Sequence, residues 1–78
     1  MNLYRISQKR NNDWDTYDSA VVCAESEADA RMVHPNGEEW DGAATGDWVA
    51  AADVTVDFVG IAREGIARSV ICASFNAG

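Results

Sequence analysis

The stretch "YDSAVVCAESEADARMVHPNG", Tyr17–Gly37, changes character in its middle, and that change decides the fold. Its opening, "YDSAVVCA", is an apolar run with paired β-branched valines, which predicts a strand over about 17–24. From "ESEADARMVHPNG" the punctuation is helical. Ser26 is a good N-cap, Glu27 puts negative charge in the first turn, and Asp29 stands three residues after the cap as a shortened capping box. "HPNG" then stops the chain, so the helix is predicted over about 27–34, with Ala30, Val33 and Met32 as its inward stripe.

Before this stretch, "LYRIS" alternates with Tyr4 and Ile6 on one face, giving a first strand over about 2–8, and "QKRNND" breaks it. The short separation between the two strands predicts an antiparallel hairpin. After the helix, "NGEEWDGAATGDWVAAAD" has three glycines, two tryptophans and no period; it reads as a long loop pinned by Trp40 and Trp48, with a short helical turn near 49–53. "DVTVDFVGIA" alternates again, with Val54, Val56 and Phe58 facing one way and Thr55 and Asp57 the other. "REG" turns it, and "RSVICASF" supplies a fourth strand. The expected fold is α+β: one small domain over 1–78, an antiparallel four-stranded sheet in the order β-β-α-β-β, with one short helix on a face and a long tryptophan-containing loop.

Composition agrees with a folded domain. The apolar fraction is 47% over 78 residues, with three Trp, two Tyr and two Phe, too rich for a disordered acidic tail. No apolar run reaches the roughly 20 residues of a membrane span, and "MNLYRISQKR" lacks a signal-peptide core, so the expected location is the cytoplasm. The two cysteines lie within "AVVCA" and "VICAS", where a reduced thiol behaves as a small buried hydrophobe; a disulfide is the alternative.

The charge is unevenly placed. Residues 11–57 hold twelve acids and one base, Arg31, for −11, while the two ends carry five bases and Glu64 for +4, which makes the total of −7. Such a field repels nucleic acid and membrane surfaces and favours basic partners. A soluble coat is the competing explanation, since small domains commonly carry a net charge of about 2 to 8.

Motifs of catalysis and metal binding fail on inspection. "DWDTYD" begins like a calcium loop, but counting from Asp13 puts Tyr17 at a ligand position, Asp18 at the glycine and Ala24 at the closing glutamate. His34 is the only histidine and reads as a helix-end residue favoured by the dipole; the cysteines form no Cys-x-x-Cys pair. Neither cysteine has an electropositive neighbour, and "NGEEWDGAATG" lacks the lysine of a phosphate loop. The expectation is a protein with no catalytic residue, no metal and no cofactor.

What remains is the acidic face. Along extended chain, residues two apart lie about 6.6 Å from each other on one side. That spacing pairs Asp13 with Asp15 and is comparable to neighbouring phosphates of a nucleic-acid strand. Asp13, Trp14, Asp15, Asp18, Glu25, Glu27, Asp29, Glu38, Glu39 and Asp41 are therefore the candidate partner-binding residues. Their carboxylates can take charge-assisted hydrogen bonds from the Lys and Arg of a DNA-binding groove. Trp40 and Trp48 are read as loop anchors, and Trp14 equally as anchor or contact residue.

The block "DTYDSAVVCAESEADARMVHPNG", with "VTVDFVGIAREGI" and the ending "VICASFNAG", resembles a group of small acidic proteins encoded by bacteriophages and related mobile elements. In size and charge the chain is also similar to the anti-CRISPR proteins, in particular those acting on a type I-C system. That resemblance implies a DNA mimic, acting in the host bacterial cell, that binds the Cas8-type subunit of the type I Cascade complex so that target DNA is not recognised. A monomer that binds neither nucleic acid nor membrane is expected. The alternative is a phage accessory protein that binds another host or virion protein, its acids serving solubility alone.

Overall fold

The structure, a computed structural model, describes residues 1–9 and 14–76. Its elements are β1 (Asn2–Ser7), β2 (Thr16–Ala24), α1 (Glu27–Arg31), a 3-10 turn (Ala51–Asp53), β3 (Thr55–Ile61) and β4 (Ser69–Asn76). The four strands form one sheet in the order β3-β1-β2-β4, every neighbouring pair antiparallel. This is the small α+β domain that the alternation and punctuation of the sequence predict.

That order has a geometric consequence. β2 and β3 both run antiparallel to β1, which lies between them, so the chain leaving β2 must cross the sheet before β3 begins. α1 and the long loop make that crossing, and in doing so they cover one face. Ile6 opposite Ala20 and Tyr4 opposite Val22 point into this layer, where they meet Ala30, Val33, Trp48, Val49 and Val54. A fully buried aliphatic side chain of this kind contributes about 1.5–3 kcal/mol. The opposite face is largely open, with Arg5, Asp57, Cys72 and Ser74 exposed.

A second crossing follows from the same order. β3 and β4 occupy opposite edges, so the residues between them run across the end of the sheet. The Ala62 N–H donates to the Met1 carbonyl at 3.0 Å, and the Cys23 thiol lies 3.8 Å from both Met1 Sδ and the Ile66 carbonyl. Met1 and Ile66 thus cap Cys23, which is buried, whereas Cys72 on the uncovered edge strand is exposed and not the buried residue expected; both thiols are free.

The helix is also shorter than predicted. It ends at Arg31 rather than near 34, because Pro35 disfavours helical backbone at His34 and Met32 already serves as the C-cap. Met32 therefore leaves the inward stripe. Its side chain is 37% exposed, and its Cε and Sδ lie close to Gly42, whose φ of 87° a side-chain-bearing residue rarely adopts. At the N-terminus, Ser26 Oγ accepts from the Asp29 N–H at 3.1 Å, and the Asp29 carboxylate accepts from the Glu25 N–H at 3.0 Å. The reciprocal bond of the capping box thus falls one residue earlier than usual.

Replacing Ile6 with Ala should lower the unfolding free energy by about 3 kcal/mol. Phe58→Ala, at a side chain 62% exposed, should stay within about 1 kcal/mol. Urea denaturation of both variants checks where the core lies.

Candidate functional site

The long loop is irregular, yet three side chains fix it. Gln8, just past β1, donates to the carbonyls of Tyr17 (2.6 Å) and Asp47 (3.0 Å) and accepts from the Val49 N–H at 2.9 Å. The loop is thereby tied to the hairpin end on both sides of Trp48, which is fully buried. Trp48 Nε1 has no hydrogen-bond partner among the described residues, an omission worth about 1–3 kcal/mol. Burying an indole removes some 150–250 Å² from water, about 4–6 kcal/mol at 25 cal/mol per Å², so burial still wins.

His34 is the third fixed point, and the helix-end role expected for it is corrected. Its ring is buried, with edge-on contacts to Tyr17 (6.0 Å) and Trp40 (5.4 Å) and a tilted one to Trp48 (6.4 Å). Nδ1 accepts from the Asn36 N–H at 3.1 Å, which places the ring proton on Nε2, 3.2 Å from Thr45 Oγ1 and 3.3 Å from the Asp47 carboxylate. Trp40 in turn donates from Nε1 to the Ala43 carbonyl at 2.8 Å. Trp40 and Trp48 are thus both anchors.

These anchors present the loop's acids on one surface. Glu38, Glu39 and Asp41 surround an open depression of about 820 Å³, with Met32, Trp40 and Arg68 completing its lining. Arg68 Nε donates to Asp29 Oδ1 at 2.8 Å, which brings a fourth nominated acid to the rim. Glu25 is joined to Asp29 through its N–H, and Glu27 lies one helical turn from Arg31. Arg31, the one base between residues 11 and 57, is turned inward: it donates to the Val54 and Ala51 carbonyls and pairs with Glu27 at 3.4 Å. Its charge ties α1 to the start of β3 and does little to offset the exposed loop. Among the described residues, Glu38, Glu39 and Asp41 take part in no salt bridge.

The hairpin acids are placed elsewhere. Asp18 lies on the open side of the sheet, held by Asn76 Nδ2 at 2.7 Å and Ser74 Oγ at 3.2 Å. Asp15 sits at the hairpin tip with φ of 62°, a conformation aspartate tolerates, and its N–H donates to the Asn76 carbonyl. Trp14 beside it is 74% exposed and so is no anchor. Asp13 lies outside the described residues. The nominated residues therefore form two patches: Asp29, Glu38, Glu39 and Asp41 gather with Glu25 and Glu27 close by, while Trp14 and Asp15 lie past the other end of nine-residue β2 and Asp18 stands near that end, third in the strand.

Sequence reasoning missed Gln8, Arg68 and the burial of His34. A lone polar residue at a strand end carries no periodicity, and a partner 39 positions away leaves no local trace. Among the described residues no group of three or more His, Cys, Asp or Glu is placed to hold a metal ion, and no helix is long and apolar enough to cross a membrane. No family model matches the chain, and no curated protein and no solved structure matches it either.

Burial raises the pKa of Asp29, but the Glu25 N–H and the Arg68 guanidinium together lower it by more, so the carboxyl ionises below its ordinary value. A carboxylate depressed by folding adds stability above its unfolded pKa, about 3.9, and loses it as pH falls through the folded one. Asp29→Asn should therefore unfold at lower urea than the parent at pH 7. The gap should close as pH drops below about 4.

Proposed function

We propose that this chain is a non-enzymatic inhibitor that lays acidic patches into a basic, DNA-binding surface of a partner protein and so excludes the nucleic acid. The resemblance to anti-CRISPR proteins makes the Cas8-type subunit of a type I Cascade the first partner to test. The observation that carries this reading is the display of Glu38, Glu39 and Asp41 on an anchored loop where the neighbouring bases among the described residues, Arg31 and Arg68, are engaged with Glu27 and Asp29.

The chemistry is that of phosphate replacement. Lys and Arg that bind DNA through its phosphates accept carboxylates in similar positions, and each such bond is charge-assisted. Holding the loop with Gln8, His34 and Trp48 lowers the entropy lost when the acids are engaged. Trp40 and Met32 add apolar contact to the floor of the depression, where the stems of Lys or Arg can lie. The second patch, at Trp14, Asp15 and Asp18, extends the reach along the partner's groove. β2 carries the chain about 23 Å from Asp18 to Glu25 at 3.3 Å per residue.

A second reading has one observation in its favour. Phe58, Val59 and Ile61 on β3 are all more than half exposed, which suits an apolar contact with another host or virion protein, the acids serving solubility alone.

Salt separates the two. In a binding measurement with purified type I Cascade, affinity should fall steeply between about 50 and about 500 mM NaCl. The folded triple variants E38K/E39K/D41K and D13K/D15K/D18K should each lose about tenfold or more. Undiminished binding by both folded variants would sink the acidic mechanism, and salt-insensitive binding lost in Phe58→Ala would select the apolar one.

A further inference from the structure

β4 is an edge strand protected by neither a charge nor a proline. Its eight residues, "SVICASFN", contain no charge, no proline and no glycine, and all are exposed or half-buried. One side pairs with β2, and the described residues place no strand on the other. Natural edge strands are normally blunted by a charge or a proline, because an open row of N–H and C=O groups is a template for another strand. The opposite edge strand, β3, carries Asp57 and Gly60; register shifts interrupt both edge pairings, once between β3 and β1 and twice between β4 and β2, where the shift in β4 itself falls at Ile71 and leaves Cys72–Asn76 continuous.

We propose that the outer edge of β4 pairs with β4 of a second copy of this chain, antiparallel about a two-fold axis near Ser74, to give a continuous eight-stranded sheet. The faces match in that register. Ala73 and Phe75, which stand opposite Ala20 and Tyr17, share the covered face; Cys72, Ser74 and Asn76, opposite Val21, Ser19 and Thr16, share the open one. An axis at Ser74 sets Ser74 against its own symmetry mate, Ala73 against Phe75, and Cys72 against Asn76, each with a residue of its own face. Phe75 is 45% exposed while its inner side rests on Tyr17 at 4.7 Å, and the facing Ala73 leaves room to cover its outer side.

Charge selects this occupant over a basic segment of another protein. β4 offers such a segment no carboxylate of its own, and the nearest acid, Asp18, is already held by Ser74 and Asn76. A second copy brings an equally uncharged strand, so nothing in the paired strands themselves opposes contact. The opposing term is the repulsion of two bodies of −7 each, which includes the two Asp18 carboxylates held beside Ser74 on either side of the axis, and it is screened by salt. Net charge alone leads to the monomer expected from sequence; the uncharged edge reverses that expectation once salt is present.

Sedimentation of the intact chain at increasing concentration should show a monomer–dimer equilibrium that shifts toward dimer from about 50 to about 500 mM NaCl, the opposite sign from a contact built on ion pairs. Ser74→Lys sets two cations against each other across the axis and should abolish the dimer, while Asp18 beside it keeps the monomer folded, as its urea midpoint will show. In a Cys72→Ser background, Ser74→Cys should form an intermolecular disulfide under oxidised glutathione, and Asp57→Cys on the other edge should not. A monomer at every concentration and salt, a dimer that survives in the folded Ser74→Lys protein, or equal cross-linking through Asp57→Cys would each overturn the proposal.

Discussion

Nearly everything on the covered face depends on Trp48 staying inside while the chain around it remains irregular. A buried loop normally fails because its backbone polar groups have nowhere to go. Here Gln8 supplies a donor for Asp47 and an acceptor for Val49, the Tyr17 N–H reaches the Asp47 carbonyl at 3.2 Å, and Thr45 and Trp48 pair with each other through the backbone. With those groups satisfied, the indole can seat against Ile6, Val22 and His34. Without them, residues between Gly37 and Asp53 would lack a fixed path, and the acids of the loop would have no fixed position.

The strands, the helix start and the order of elements were legible in the sequence because each rests on a local pattern. Tyr4 and Ile6 alternate, Ser26 caps, and "VTVDF" alternates again, so these features need only neighbouring residues to be read. The order β3-β1-β2-β4 was not legible, since placing β3 beside β1 is a choice among distant partners. Burial of Cys72 was misjudged for that reason: an apolar run marks a strand but does not reveal whether the strand lies at an edge. His34 was misjudged through its proximity to a helix end, when the aromatic box that holds it comes from residues 17, 40 and 48.

The acids show the same division. Their abundance between residues 11 and 57 is a property of composition, whereas their separation into two patches is a property of topology. β2 carries the chain from one end of the sheet to the other, so Asp18 near its start and Glu25 just past its end lie about 23 Å apart. Glu38, Glu39 and Asp41, further along the chain, return to the neighbourhood of Asp29 only because Trp40 and Trp48 fold the loop back. A distributed charge of this kind suits an extended partner surface better than a single ion.

The sheet order also bears on how the chain reaches its fold. The β1–β2 hairpin forms from neighbours in sequence, but its outer partners come late: Asn2 pairs with Ile61 and Thr16 with Asn76, contacts that close loops of about sixty residues. Loop-closure entropy must be met before those contacts return anything, which raises contact order and slows folding. β4 is the partner of β2 on the side away from β1, so until it docks, that side of β2, with Val21 and Val22, stands as an open edge. Docking of β4 is thus the step that covers that side of β2.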